Sequence, residues 1–182
     1  INDNLGVQII FLQNHGIVIG GSNVSEVNNI LFNLVSELNI EPTFNKTLIK
    51  TPNPISLKYI PVDNLETHNL ALIPEFFNRL NADWALYPDH VVFLGPKPNC
   101  YDTVETFLEH LEKGASPELV FLKDLGVFSL PGFSKAKQLQ LKCYHDVLVR
   151  QKYDIRLKVL NEQEISELLN WEAEKYRKSI EK

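Results

Sequence analysis

The sequence predicts a mixed α/β fold, and three observations predict it. Short apolar runs of strand length are bounded by turn-forming residues, as at residues 7–12. Longer segments carry apolar residues at helical spacing behind capping signals. A strand-turn-strand-helix pattern also occurs twice, at an offset of 110 residues that aligns Phe11 with Phe121. Strands that alternate with helices in this way are typical of α/β domains.

The composition is that of a folded globular chain. It has 182 residues, of which 44% are hydrophobic and 23% are charged, so we do not expect disorder. The net charge of −5 argues against a nucleic-acid partner, because phosphate backbones are bound by clustered Lys and Arg. No apolar run approaches the roughly 20 residues of a membrane helix, so we expect no membrane partner.

The cysteines and the start of the chain bear on location. Cys100 and Cys143 form neither a CxxC pair nor part of a dense cysteine framework. No signal peptide is visible at the start of the sequence. These features predict a reducing, cytoplasmic setting, in which each cysteine is a structural thiol.

The first predicted elements are two strands and a helix. Residues 7–12 are a continuous, β-branched run, which predicts a buried strand, and residues 17–19 resume it after Asn14-His15-Gly16. His15 is therefore expected at a kink. Asn23 and Glu26 resemble a capping box, and the apolar spacing that follows predicts a helix to Leu38.

The next predicted segment is an extended connection over residues 39–63, which contain four prolines. It would join a first unit, residues 1–38, to a second α/β unit, residues 64–182. In the second unit the patterns predict a helix from Asp63 to about Leu80, a strand at 91–94, a short helix from Asp102 to Leu111, strands near 118–122 and 126–129, and a long helix from about Ser134.

The last predicted helix begins at Asn161, with Glu164 as its capping partner. It is expected to run to about residue 178. The apolar residues on or near one face are Ile165, Leu168, Leu169 and either Trp171 or Tyr176. We expect this helix at or near a contact between chains, in a homo-oligomer or in a complex with a missing N-terminal segment.

The internal repeat makes the two turns comparable. The first copy has His15 where the second has Leu125. We expect Leu125 to be buried at its turn, packed against Val127 or the following helix. A core leucine in one copy and a histidine in the other would favour a chemical role for His15.

Four segments of the sequence carry a resemblance to a known family. The segments are Leu12-Gln13-Asn14-His15-Gly16-Ile17-Val18, residues 87–96, Leu125-Gly126-Val127-Phe128 and residues 169–177. They resemble the class II aldolase/adducin family, in the family's order, and most of all the aldolase portion of rhamnulose-phosphate aldolase/alcohol dehydrogenase fusion proteins and their stand-alone relatives. The resemblance implies a three-layer α/β/α sandwich that is incomplete at its N-terminus, with residues 1–38 as the C-terminal part of the family's core.

The same resemblance implies zinc and a metal ligand. In the family the histidine of the Asn-His-Gly turn binds zinc, which assigns that role to His15. The family's other imidazole ligands form a His-x-His pair, and none occurs among His15, His68, His90, His110 and His145. The pair is therefore expected upstream of this sequence. Catalytic zinc commonly has three protein ligands and an open position.

Other candidate residues come from the second unit. Asp89 and His90 lie at the entrance of the predicted 91–94 strand, where they could face a cleft and bind substrate. The alternative is a turn-capping aspartate and a half-exposed histidine. His68, His110 and His145 are expected as surface or hydrogen-bonded boundary residues.

Two functions follow from the resemblance. The first is a zinc-dependent aldolase-type lyase that cleaves a phosphorylated ketose such as rhamnulose 1-phosphate, with zinc stabilising the enediolate as a Lewis acid. The second is a non-catalytic interaction module like the adducin head domains. The first function requires the remaining ligands, and the second does not.

Overall fold

The computed structural model describes residues 6–43, 52–55 and 58–171. The chain divides into two compact units, Ile1–Glu41 and Pro42–Lys182, and each is described by itself. In the described residues, no helix combines the length and the apolarity required to span a bilayer.

The first unit has two strands followed by a helix, as predicted, but the strands form a β-hairpin, so His15 lies in a tight turn rather than at a kink in one strand. Strands β1 (Ile9–Leu12) and β2 (Gly16–Ile19) pair antiparallel, and helix α1 spans Val24–Leu38. The Asn23 side chain caps α1 by accepting the Glu26 N–H at 3.0 Å. The Glu26 carboxylate accepts the Ser22 N–H at 2.6 Å and the Gln8 Nε2–H at 2.7 Å. This carboxylate therefore ties the helix to the hairpin.

The expected burial of the first strand is wrong for the described residues. Helix α1 contains no buried residue, and most of the hairpin is exposed. The physical reason is size, because two strands and one helix cannot enclose a core. Twelve large apolar residues of this unit are exposed: Val7, Ile10, Phe11, Leu12, Ile17, Val18, Val24, Leu31, Phe32, Val35, Leu38 and Ile40.

The second unit is built on a four-stranded sheet. Its strands are β3 (Ile60–Pro61), β4 (Cys100–Tyr101), β5 (Leu119–Leu122) and β6 (Gly126–Ser129), in the order β3-β6-β5-β4. β4 runs parallel to β5, and the other pairs are antiparallel. Every residue of β5 and β6 is buried, so the predicted strands near 118–122 and 126–129 are confirmed as the sheet centre.

Helices cover both faces of this sheet. Phe121 packs on one face in a cluster with Leu70, Phe76 and Leu141. Leu122 packs on the other face with Phe107. The helices are α2 (Asn69–Leu72), α3 (Pro74–Phe77), α4 (Pro88–Leu94), α5 (Val104–Glu112), α6 (Lys135–Leu148) and α7 (Glu162–Asn170), with a 3₁₀ turn at Leu65–His68.

Two predicted elements of the second unit are wrong. Residues 91–94 belong to helix α4, because Pro88 occupies the first helical turn and Gly95, with φ 90°, ends the helix. A short apolar run does not separate strand from helix by itself. The predicted helix from Asp63 to Leu80 is interrupted at Pro74, which begins α3 and prevents α2 from continuing.

The predicted start of the last helix is confirmed. The Asn161 side chain caps α7 by accepting the Glu164 N–H, and the Glu164 carboxylate accepts the Asn161 N–H. These two hydrogen bonds form a capping box. The apolar face of α7 packs on the core of its own unit through Ile165, Leu168 and Leu169. The expected contact of this helix with another chain stays a prediction. Trp171 is exposed, and Tyr176 lies outside the described residues.

The predicted connection over residues 39–63 is partly integrated into the second unit. Tyr59 and Val62 are buried, and the intervening residues form β3. Its Thr43 Oγ1–H donates to the Val149 carbonyl at 2.7 Å. The described part of this segment is extended, but it contributes to the core.

A buried ion pair fastens an irregular segment to the second unit. The Arg79 Nε–H bonds to Asp83 at 2.5 Å, and both side chains are buried. The Arg79 guanidinium also donates to the carbonyls of Lys152 and Ile155, and Asp83 accepts the Leu157 N–H. Residues 152–157 are thus fixed through their backbone.

Candidate functional site

The His15 turn is held in a defined conformation by two residues with positive φ. Asn14 has φ 56° and Gly16 has φ 124°, and the His15 N–H donates to the Leu12 carbonyl at 3.0 Å. Asn and Gly are the residues that adopt such angles at low cost. The His15 side chain is exposed, and no hydrogen bond to its ring is found within the described residues.

The second copy of the turn has the same backbone. Asp124 has φ 60° and Gly126 has φ 131°, and the Leu125 N–H donates to the Leu122 carbonyl at 3.1 Å. The predicted burial of Leu125 is wrong, since this residue is 43% exposed. The residue at this position of the turn is exposed in both copies. The contrast between a core leucine and a histidine therefore no longer supports a role for His15.

The described surroundings of His15 do not fit zinc by themselves. Catalytic zinc commonly takes three protein ligands. Among the described residues, the one group of three possible ligands that lie close together is Glu66, His145 and Asp146, in the second unit. His15 thus supplies one donor, and the others are not among its described neighbours.

The Glu66, His145 and Asp146 group already contains a protein cation. The Lys142 ammonium lies 3.1 Å from Glu66 and 2.5 Å from Asp146. Burial opposes a high pKa for Lys142, but its bonds to Asp146 and Glu66 outweigh burial and raise that pKa. Arg150 lies 3.8 Å from Asp146. Zinc would have to displace Lys142, so this group does not fit a resident metal.

His145 in this group is a neutral imidazole. Burial lowers its pKa, and the neighbouring Asp146 only partly offsets that effect. Its Nδ1 lies 3.3 Å from Asp146 Oδ1. The expectation of a surface or boundary residue is wrong in its exposure, because His145 is buried, although it is hydrogen-bonded as expected. The proximity of Glu66 was missed, because it is distant in sequence. The one available signal was the i,i+4 pair of Lys142 and Asp146.

Asp89 and His90 lie on helix α4 rather than at a strand entrance. His90 is 0% exposed, and neither ring nitrogen has a hydrogen-bond partner within the described residues. Its ring lies 4.3 Å from that of Trp84 and 4.7 Å from that of Tyr144. The expectation of a half-exposed histidine is therefore wrong. Burial lowers the pKa of His90 to about 3, so the ring is neutral, and substrate could reach it only if the core opened.

The remaining histidines have identifiable partners. His68 Nδ1 accepts the Val127 N–H at 3.0 Å, and its Nε2–H donates to the Val62 carbonyl at 3.1 Å. These two bonds define one neutral tautomer of a buried ring. His110 bonds to the Tyr101 hydroxyl. His110 fits the expectation of a hydrogen-bonded surface residue, whereas His68 is hydrogen-bonded but buried in the core rather than at the boundary.

A cleft in the second unit, among others there, is large enough for a small ligand. It has a volume of about 480 Å³ and lies between the end of α4 and the start of α6. Asn99 and Glu118 line it, and Lys137 Nζ lies 2.7 Å from both Glu118 carboxylate oxygens. The charged groups of the cleft are therefore paired with each other. None of the predicted site residues lines it.

Comparisons with family models, with curated proteins and with solved structures gave no match to this chain. The resemblance to the class II aldolase/adducin family therefore rests on the sequence segments alone.

Proposed function

We propose that this chain is part of a zinc-dependent, class II aldolase-type lyase that cleaves a phosphorylated ketose such as rhamnulose 1-phosphate. The observation that carries the proposal is the His15 turn. Its backbone is defined by Asn14 and Gly16, and it presents an exposed imidazole with no hydrogen bond in the described residues. A metal ligand must be free to coordinate, and the exposed imidazole of this turn supports that requirement.

The role of the chain's own residues is positioning. Asn14 and Gly16 adopt the angles that define the backbone of the turn, in which the His15 side chain is exposed. When bound, zinc would polarise the ketose carbonyl and stabilise the enediolate. The other ligands would come from residues outside the described surroundings of His15.

The wider proposals follow from the same resemblance. The fold would be a three-layer sandwich of the class II aldolase type, and the described helices on both faces of the second unit's sheet are compatible with it. The protein would be cytoplasmic and homo-oligomeric, or complexed with an N-terminal segment. Its ligand would be a sugar phosphate rather than a nucleic acid or a membrane.

A non-catalytic, adducin-like interaction module is the second candidate. It is favoured by one observation, namely that the described residues around His15 do not supply the further ligands of a catalytic zinc. In this function His15 would be a surface residue of a tight turn.

Metal analysis of the longest natural form of the protein distinguishes the two candidates. The lyase should bind close to one zinc per chain, and His15→Ala should lower both the zinc content and the cleavage of rhamnulose 1-phosphate. His110→Ala is the matched control, because His110 is also exposed but already bonded to Tyr101. Zinc content that is unchanged by His15→Ala would exclude the metal-ligand role.

A further inference from the structure

The His68 ring bridges two strands of the second unit. It belongs to the 3₁₀ turn Leu65–His68 and is 1% exposed. Its Nδ1 accepts the Val127 N–H at 3.0 Å, and its Nε2–H donates to the Val62 carbonyl at 3.1 Å. Val127 lies in β6, and Val62 directly follows β3. The imidazole therefore connects the end of β3 to the neighbouring strand.

The protonation state of this ring follows from its two partners. A backbone N–H only donates and a carbonyl only accepts, so Nδ1 carries no proton and Nε2 carries one. A second proton, on Nδ1, would oppose two donors and leave a positive charge in a buried position. Burial lowers the pKa of His68, and the bond to the Val62 carbonyl only partly offsets that effect. The bridge thus requires a neutral ring.

Strand β3 has few other backbone bonds to the sheet. It consists of Ile60 and Pro61, and a proline has no N–H to donate. The Val62 N–H donates directly to the Val127 carbonyl at 3.2 Å. Val127 therefore holds Val62 twice, once directly and once through His68. Short edge segments of this kind can open locally without unfolding of the whole unit.

Close packing leaves the His68 ring little space to rearrange. A Cβ on Gly126 would lie 2.8 Å from His68 Nδ1 and 2.8 Å from Pro52. The Phe128 ring packs edge-on against the imidazole, with 6.5 Å between the ring centroids. We therefore expect a protonated His68 to leave this position rather than to find new partners within it.

The charged groups around the 3₁₀ turn are bonded elsewhere. Helix α2 and strand β6, which pack against the turn, contain no ionisable side chain. Helix α6 also packs against it. The ionisable groups on or beside that contact are Asp63, Glu66, Lys142, His145 and Asp146. Asp63 bonds to Gln138, and the other four bond to one another. In the described structure, both His68 nitrogens are instead occupied by backbone groups.

We propose that His68 is an acid-sensitive latch, and that a proton taken up from solvent at Nδ1 releases β3 from β6. The proton removes the acceptor of the Val127 N–H, and the departing ring also gives up its bond to Val62. Residues 60–62 then detach, while β5 and β6 stay paired. The latch is closed above about pH 6.5, and the open, protonated form gains population as the pH falls below that value. The inference does not depend on the proposed lyase activity.

Amide hydrogen exchange tests the latch in the unmodified 182-residue chain and in two variants. After correction for the intrinsic exchange rate, protection of the Val62 N–H should fall about tenfold per pH unit below about pH 6.5, until the closed state itself takes up the proton. In His68→Gln this fall should be absent, because glutamine does not titrate. The matched control, His145→Gln, removes a second buried histidine beside the same turn and should keep the fall. A fall that persists in His68→Gln, or that only His145→Gln abolishes, would overturn the proposal.

A second amide distinguishes local release from unfolding of the whole sheet. The Phe121 N–H donates to the Asn99 carbonyl at 2.9 Å, away from β3. It should stay more protected than the Val62 N–H at pH 5. Equal protection of the two amides at that pH would mean that the sheet opens as one unit, which contradicts the latch.

A measurement on the unmodified chain remains decisive if His68→Gln fails to fold. Long-range proton–nitrogen correlation spectra of the imidazole report which ring nitrogen carries the proton. At pH 7 the His68 proton should be on Nε2, and the ring should titrate over the same pH range in which Val62 loses protection. A proton on Nδ1 at pH 7, or a ring that titrates without loss of Val62 protection, would exclude the latch.

Discussion

The two hairpins of this protein have the same turn and opposite surroundings. Their turn residues have matching φ angles. In each hairpin the two strands pair antiparallel over four residues, and the register is the same in both hairpins. β5 and β6 are nevertheless wholly buried, whereas β1 and β2 are mostly exposed. The comparison teaches that local sequence determines the turn, while burial depends on strands and helices that are distant in sequence.

The largest expected effect compares the aligned phenylalanines. Phe121→Ala should destabilise the second unit by about 3–5 kcal/mol, because it leaves a cavity in a fully packed core. Phe11→Ala, at the aligned position, should cost less than about 1 kcal/mol in the isolated chain. Urea unfolding followed by circular dichroism measures both. Equal costs would mean that β1 is buried in solution.

The two turn glycines give the next effect. A Cβ on Gly126 would lie 2.8 Å from His68 Nδ1 and 2.8 Å from Pro52, whereas a Cβ on Gly16 would contact nothing within 4 Å in the described structure. Both residues have positive φ, so each alanine substitution costs about 1 kcal/mol from backbone strain. Gly126→Ala should cost clearly more, because His68 must move. Chemical denaturation of both variants provides the test, and equal costs would contradict the close approach of His68.

Acid should destabilise the second unit through its buried histidines. Burial lowers the pKa of His68, His90 and His145 in the folded state. Below about pH 6.5 these histidines take up protons in the unfolded chain but remain neutral in the folded one. Their contribution to the free energy of unfolding is therefore fully present above about pH 6.5 and is lost as the pH falls. For His90, with a folded pKa of about 3, the loss is about 1.4 kcal/mol per pH unit.

The measurement compares the unfolding free energy at pH 7 and pH 5 for the unmodified chain and for His90→Phe. The phenylalanine keeps the aromatic packing and removes the proton. His90→Phe should therefore lessen the acid sensitivity by about one proton. An unchanged pH dependence would mean that His90 is not buried in solution.

The smallest effect is expected at the second turn. Leu125 is exposed, so Leu125→His should change stability by no more than about 0.5 kcal/mol. This substitution gives the second turn the histidine of the first. It should not add tight zinc binding, because one new imidazole supplies a single ligand and catalytic zinc commonly takes three protein ligands. Zinc binding to the variant would show that the turn alone suffices for a metal.

What could be predicted from the sequence depended on how local the signal was. The sequence correctly predicted the caps at Asn23 and Asn161, the start of the long helix near Ser134 and the repeat of the turn, since each involves residues a few positions apart. Helix α4 was predicted as a strand because its four apolar residues fit either element, and the preceding Pro88 was the overlooked signal. The sandwich of the aldolase type remains a prediction.

The candidate site was less predictable, because burial and contacts over long sequence separations determine it. Leu125 and His90 were assigned the wrong exposure, since a single sequence does not show which side of a turn or helix faces a core. The contact between Glu66 and Lys142 joins two elements that only the tertiary structure brings together. The metal role of His15 rests on a resemblance and remains a prediction.

The clamp formed by Arg79 and Asp83 restricts the length of a segment rather than its composition. Its three contacts to residues 152–157 are made to two carbonyl groups and one N–H, which every residue except proline provides. Amino-acid replacements in this segment should therefore leave the clamp intact. An inserted or deleted residue would instead shift the backbone by about 3.3 Å and leave two buried charges without their backbone partners. This part of the chain should accept many sequences, but only one length.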